Sequence, residues 1–167
     1  HYLFNKMLKA ENKPIEPSET AFAYIVVGTV LGARLGHCLF YDPAYYFAEP
    51  LRILKIWEGG LASHGGYIGV ITAAYLLSRR VPEYQFLWFI DRVSIVAVLC
   101  GTFIRLGNFF NSEILGKVTD VSWAVIFTRH DQQPRHPAQL YEAFAYALIS
   151  LILYMVYRHY KRRPLPG

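Results

Sequence analysis

Apolar residues along this chain gather in long runs instead of alternating with polar ones. Four runs stand out, over residues 21–41, 61–78, 86–106 and 138–157. Each approaches the roughly 20 residues that a helix needs to cross a bilayer. Polar stretches separate them. The pattern predicts an all-α fold: a polytopic membrane helix bundle with about four transmembrane helices and a polar outer excursion over 108–137. In the first run, glycines at 28, 32 and 36 recur every four residues. They share one helix face and invite a close neighbour. Residues 1–20, with Lys6, Lys9, Lys13 and two prolines, read as a cytoplasmic connector. Residues 42–60 read as an outer connection at the membrane surface, with a short interfacial helix over 45–57. VSWAVIF, within 108–137, has the composition of a short strand. The transmembrane core is thus expected over 21–158, followed by a basic cytoplasmic tail, 159–167.

Charge sharpens this picture. Only 17% of the residues are charged, against 54% hydrophobic, well below the quarter usual in soluble domains. The charges are clumped at the ends of the apolar runs. A net charge of +5 therefore needs no nucleic acid partner, because the excess sits where it sets topology. Arg79, Arg80 and the basic residues from Arg158 onward are expected on the cytoplasmic side. With alternating spans, Arg34, His37, His64, Arg105, Asn108, Glu113, His136 and Glu142 then all fall in the outer half of the membrane. Segments running in opposite directions agree on this, which argues for one shared polar site. Cys38 and Cys100 lie inside apolar runs and suit packing; no disulfide framework is expected. The chain opens on His1 without a signal-peptide pattern and reads as a piece of a longer protein.

The densest chemistry lies in G-T-F-I-R-L-G-N-F-F-N-S-E-I-L-G, residues 101–116. Arg105 and Asn108 fall on one helix face, and a continuing helix would carry Asn111 and Glu113 onto the same side. A guanidinium fork beside amides suits a phosphate or carboxylate arriving through apolar surroundings. The plainer reading is a helix end whose polar groups cap and pair with one another. His64 sits in G-G-L-A-S-H-G-G-Y-I-G, where Gly65, Gly66 and Gly69 leave room for a ligand or another backbone. It is either a proton acceptor near neutral pH or a group that bonds a helix end. Arg34, in mid-helix, must be paired or must face a wet cavity; a structural ion pair, with Glu113 or Glu142 as the natural partner, is expected. In R-H-P-A-Q-L-Y-E, Pro137 suits a helix's first turn. His136 and Gln139 read as structural, whereas Tyr141 and Glu142 are in reach of the site. Asp91 and Arg92 read as structural. No metal-ligand set, phosphate loop or nucleophile elbow is present, and no cofactor is expected. What remains, an anion-holding arginine and a candidate base, fits transfer between two bound substrates.

R-L-G-N-F-F-N-S-E-I-L-G closely resembles the signature of the prolipoprotein diacylglyceryl transferases. The likeness continues through V-T-D-V-S-W-A-V-I-F and P-R-H-P-A-Q-L-Y-E. Upstream, G-A-R-L-G-H-C-L-F-Y and W-E-G-G-L-A-S-H-G-G-Y-I-G resemble that family's blocks, in the same order. Ile104 and Tyr67 depart from the family's usual glycine and aliphatic residue. The resemblance implies a bacterial inner (cytoplasmic) membrane enzyme with its active site toward the periplasm. Such enzymes move the diacylglyceryl group of phosphatidylglycerol to the lipobox cysteine in a prolipoprotein signal peptide, releasing glycerol phosphate. It further implies that Arg105 contacts the lipid headgroup and that Asn108, Glu113 and Gly116 hold the signature's other essential places. His64 takes the place of the histidine in the H-G-G motif. With Arg34, Gly65, Gly66, Asn111, Tyr141 and Glu142 these make up the expected site. The family's first helix and its closing helices have no counterpart here. Two other classes fit the residues alone: an anion or lipid transporter, and a structural subunit. The transporter reading predicts an internal repeat, and none is visible; the subunit reading predicts no cavity open to lipid.

Overall fold

The structure, a computed structural model, describes residues 1–161. Part of the expected basic tail, residues 162–167, lies outside the described residues. Six α-helices carry most of the chain: α1 (Tyr2–Ala10), α2 (Ser18–Phe40), α3 (Pro43–Ala48), α4 (Ser63–Arg80), α5 (Phe86–Asn111) and α6 (Ala138–Lys161). Two short 3-10 turns, Pro50–Leu54 and Ile56–Glu58, lie between α3 and α4. A two-stranded antiparallel ribbon, β1 (Val125–Ile126) with β2 (Pro134–Arg135), lies between α5 and α6. It realises the strand expected in VSWAVIF, cut to two residues.

Three helices are long and apolar enough to cross a membrane: Ser18–Phe40, Phe86–Asn111 and Ala138–Tyr160. Most of their apolar surface is open. Leu31, Leu39, Phe103, Ile104, Phe144 and Leu151 are all more than half exposed. Helices apolar on every side belong in lipid or a large core, and no core covers these faces. The run at 61–78 becomes α4, shorter at 18 residues and ending on Arg79 and Arg80. It is not among the three.

The chain divides into two units, His1–Arg92 and Val93–Gly167. In the first, α2 and α4 pack antiparallel through their glycines. A Cβ on Gly32 would meet the Gly65 carbonyl oxygen, and would lie 2.7 Å from the Gly69 Cα. One on Gly36 would lie 2.7 Å from the Gly65 Cα. The four-residue spacing thus brings two backbones into direct contact. Gly32→Ala must push the helices apart and is expected to cost about 1–3 kcal/mol. At Gly66 an added Cβ meets Ala33 and Thr29 methyl carbons at 3.7 Å and the Thr29 carbonyl oxygen at 3.8 Å, all ordinary contacts. Gly66→Ala is therefore expected to melt within about 0.5 kcal/mol of the parent. Thermal unfolding in detergent separates the two; equal melting temperatures would contradict the close approach.

The expected connector is instead a docked helix. Phe4, Met7 and Leu8 are buried in α1, at the i, i+3, i+4 spacing of an amphipathic helix, which the intervening lysines obscured. Phe4 meets Tyr84 and Phe89 edge-on. The Tyr84 hydroxyl donates to the Pro14 carbonyl at 2.7 Å. Burial, helped by Glu16 and Glu83, pushes that phenol up to about 12. Arg92 pairs with Glu11 at 3.0 Å, so the structural reading of Arg92 holds.

In the second unit α5 and α6 run antiparallel, in a register marked by three contacts. Ser150 Oγ donates to the Ile95 carbonyl at 3.2 Å. The Tyr146 ring lies 3.1 Å from where a Gly101 Cβ would stand. Arg105 meets Glu142.

Candidate functional site

Arg105 and Asn108 occupy the last two turns of α5. The helix runs through Asn111 and then stops, because Ser112 and Ile114 adopt left-handed backbone with φ of 59° and 52°. Glu113 is consequently not on the helix, contrary to the expectation of a continuous polar face. The reversal folds it back: its N–H donates to the Asn108 carbonyl at 2.9 Å. Its carboxylate accepts from Asn108 Nδ2 at 2.8 Å. Asn111 stays exposed at the helix end.

The first turn of α6 closes the cluster. Glu142 forms an ion pair with Arg105 at Nε, 2.6 Å away. Gln139, only 1% exposed, donates to the Glu113 carbonyl at 2.6 Å and pins the reversal. The Tyr141 hydroxyl accepts from Trp123 Nε1 at 2.6 Å and lies 3.2 Å from His136 Nδ1. Gly116 passes against His136 so closely that a Cβ would collide with the His136 carbonyl oxygen. That is a steric reason for glycine in the signature. Arg135 grips Asp131 at 2.5 Å and donates to the Gly116 carbonyl. Its hydrogen bond holds Asp131 below the usual carboxylate range.

Two features of this cluster point outward to a ligand. The ion pair meets Arg105 at Nε, and neither Nη group has a hydrogen bond among the described residues. Asn108 Oδ1 is a buried acceptor without a partner, which is costly unless something donates to it.

Arg34 behaves in the opposite way. It is 3% exposed. Nε donates to the Ile53 carbonyl at 2.9 Å. One Nη donates to Gly59 and Gly60, the other to Arg52 and Lys55. The Tyr46 ring lies 5.0 Å from its guanidinium carbon. The expected ion pair with Glu113 or Glu142 is corrected: five backbone carbonyls solvate the charge, and no N–H is left over for a substrate. Gly59 and Gly60 make this possible with φ of 85° and 76°, a turn that favours glycine.

His64 stands exposed on the first turn of α4. It has no hydrogen bond among the described residues. Its contacts are rings: Tyr41 stacked at 5.8 Å and Phe40 edge-on at 5.8 Å. The helix-end role considered for it is therefore not seen. Gly65 and Gly66, placed with the substrate from sequence, face α2 instead.

The structure thus joins Arg105, Asn108, Glu113, Gly116, Tyr141 and Glu142 in one cluster of the second unit. Arg34, His64, Gly65 and Gly66 belong to the first. Sequence reasoning missed Tyr41 and Trp123, whose aromatic signal was indistinguishable from that of interface anchors.

A helical membrane protein with a guanidinium-centred polar cluster at a helix end is the class that fold and site define. A sequence profile described as Prolipoprotein diacylglyceryl transferase matches residues 1–166, and the chain belongs to that family. The phosphatidylglycerol--prolipoprotein diacylglyceryl transferase of Tolumonas auensis is 53% identical over 98% of this chain and 63% of its own length. The protein of the same name from Chloroherpeton thalassium is 53% identical over 93% of the chain and 58% of its own length. That of Bacteroides fragilis is 43% identical over 98% and 61%. The chain therefore spans about 58–63% of the length of these curated relatives.

Proposed function

We propose that this chain supplies the signature-bearing part of an enzyme that moves diacylglyceryl from phosphatidylglycerol to the lipobox cysteine of a prolipoprotein. The observation that carries the reading is Arg105: oriented by Glu142 at Nε, with its Nη fork open. A phosphodiester presents the paired oxygens that such a fork binds. Asn108 Oδ1 offers an acceptor for a glycerol hydroxyl of the headgroup. The names of the relatives support the same substrates.

The acceptor is a cysteine thiol of ordinary pKa about 8.5, and only its thiolate attacks well. His64 takes the thiol proton. The sulfur then attacks the glyceryl carbon that bears the phosphate. A C–S bond forms, the C–O bond breaks, and the electron pair leaves with glycerol phosphate. Arg105 stabilises the charge that builds on the departing phosphate. Neither partner needs a cofactor or a covalent enzyme intermediate.

In this reading α4 is a further crossing beside the three apolar helices. Arg79, Arg80 and the basic end of α6 lie on the cytoplasmic side of the bacterial inner membrane. The segments 42–60 and 108–137 then lie on the periplasmic side.

The test is transfer of labelled diacylglyceryl from phosphatidylglycerol to a lipobox peptide, with the full-length protein in vesicles. His64→Gln is expected to lower turnover by about 100-fold or more, as for loss of a general base. Full turnover in that variant across pH 6 to 9 (the range of ordinary imidazole and thiol titration) would remove the base assignment. Failure of the parent protein to label the peptide would end the proposal.

A further inference from the structure

The ring of His64 is held by stacking alone, and the stack is part of a longer column. Tyr41 stacks with two imidazoles: His64 at 5.8 Å and 26°, and His37 at 5.3 Å and 13°. The edge of Tyr46 meets His37 at 6.0 Å. Tyr46 in turn lies against Arg34, which is itself buried. Phe40 meets His64 edge-on. A continuous series of flat groups therefore leads from a fixed guanidinium to the ring expected to move a proton.

We propose that Tyr41 is a positioning residue for His64, setting the direction of the imidazole nitrogens through its π-face. The inference rests on the reading of His64 as the base. Metal-bound and triad histidines are aimed by a hydrogen bond to one ring nitrogen. His64 has no such bond among the described residues, so both nitrogens stay available while the ring plane is still set. An aromatic face also attracts a cation. The imidazolium formed when the thiol proton arrives is therefore favoured in place. The Tyr41 hydroxyl makes no hydrogen bond among the described residues; the ring sets the column. Tyr41 is 64% exposed, so its replacement removes little packing and should leave the fold intact.

The experiment is steady-state transfer by the full-length protein carrying Tyr41→Leu, Tyr41→Phe, His64→Gln and the double variant Tyr41→Leu/His64→Gln. Melting temperature is measured for each. Tyr41→Leu is expected to lower kcat roughly five-fold, the worth of one aromatic contact, with KM for phosphatidylglycerol unchanged. Tyr41→Phe should restore the parent rate. In the His64→Gln background Tyr41→Leu should cost nothing more. The proposal is overturned if Tyr41→Leu turns over normally while His64→Gln does not. It is also overturned if Tyr41→Phe falls as far as Tyr41→Leu, or if Tyr41→Leu costs the same with and without His64. A membrane anchor with no link to His64 would give that last result. Normal turnover by His64→Gln itself overturns the base reading, and the positioning role with it.

Discussion

Arg105→Lys is expected to lose transfer activity nearly as completely as Arg105→Ala, by on the order of 100-fold or more in kcat/KM. The reason lies in how the guanidinium is divided. Nε is taken by Glu142 at 2.6 Å, which fixes the plane of the fork. The two Nη groups are left to face a phosphate as a pair. Lysine has one compact ammonium. If it reaches Glu142, it has no second arm for the lipid; if it reaches the lipid, it loses the carboxylate that orients it. One donor aimed at developing negative charge in a site shielded from water is worth about 3 kcal/mol, or roughly 100-fold. The measurement is the initial rate of diacylglyceryl transfer against phosphatidylglycerol concentration. Near-normal transfer by the lysine variant would refute the fork.

Arg34→Ala should show itself in stability instead of in rate alone. The side chain is 3% exposed and feeds five carbonyls of residues 52–60. Removing it leaves those five carbonyls without their donor. Hydrogen bonds to a charged group contribute about 1.5–3 kcal/mol each and do not add fully. A total loss of about 3–5 kcal/mol is expected, comparable to breaking a buried ion pair. Arg34→Lys should recover only part of it, since three donors on one nitrogen cannot span carbonyls that surround a plane. The loss should centre on the 49–60 segment. Limited proteolysis would then cut there first, before α2 or α4 yields. A melting temperature and a cleavage pattern equal to the parent's would show that the cage carries no weight. Both arginines looked alike as charges in apolar helices, yet one is spent on the fold and the other is left for a ligand.

That difference marks how far the residue pattern reaches. Runs of apolar residues foretold the long helices α2, α5 and α6, because length and hydropathy are local properties. The glycine spacing in α2 foretold a close neighbour for the same reason: the periodicity of a helix decides which residues share a face. The motif blocks also singled out Arg105, Asn108, Glu113 and Gly116, of which Asn108 and Glu113 bond directly. The pattern failed where a fold brings distant groups together. The partner of Arg34 was sought among carboxylates, but the chain turns at Gly59 and Gly60 and offers carbonyls. Glu113 was placed on a helix that Ser112 ends.

Hydropathy by itself determined that this is a helical membrane protein; the likeness of its motif blocks to the diacylglyceryl transferases pointed to the family and to the residues that carry its signature. Tertiary structure alone decided which guanidinium is satisfied and which is open, and that aromatic rings hold His64. The physical reason is that a hydrogen bond's worth depends on who else competes for the donor, and competitors far apart in sequence meet only once the chain has folded.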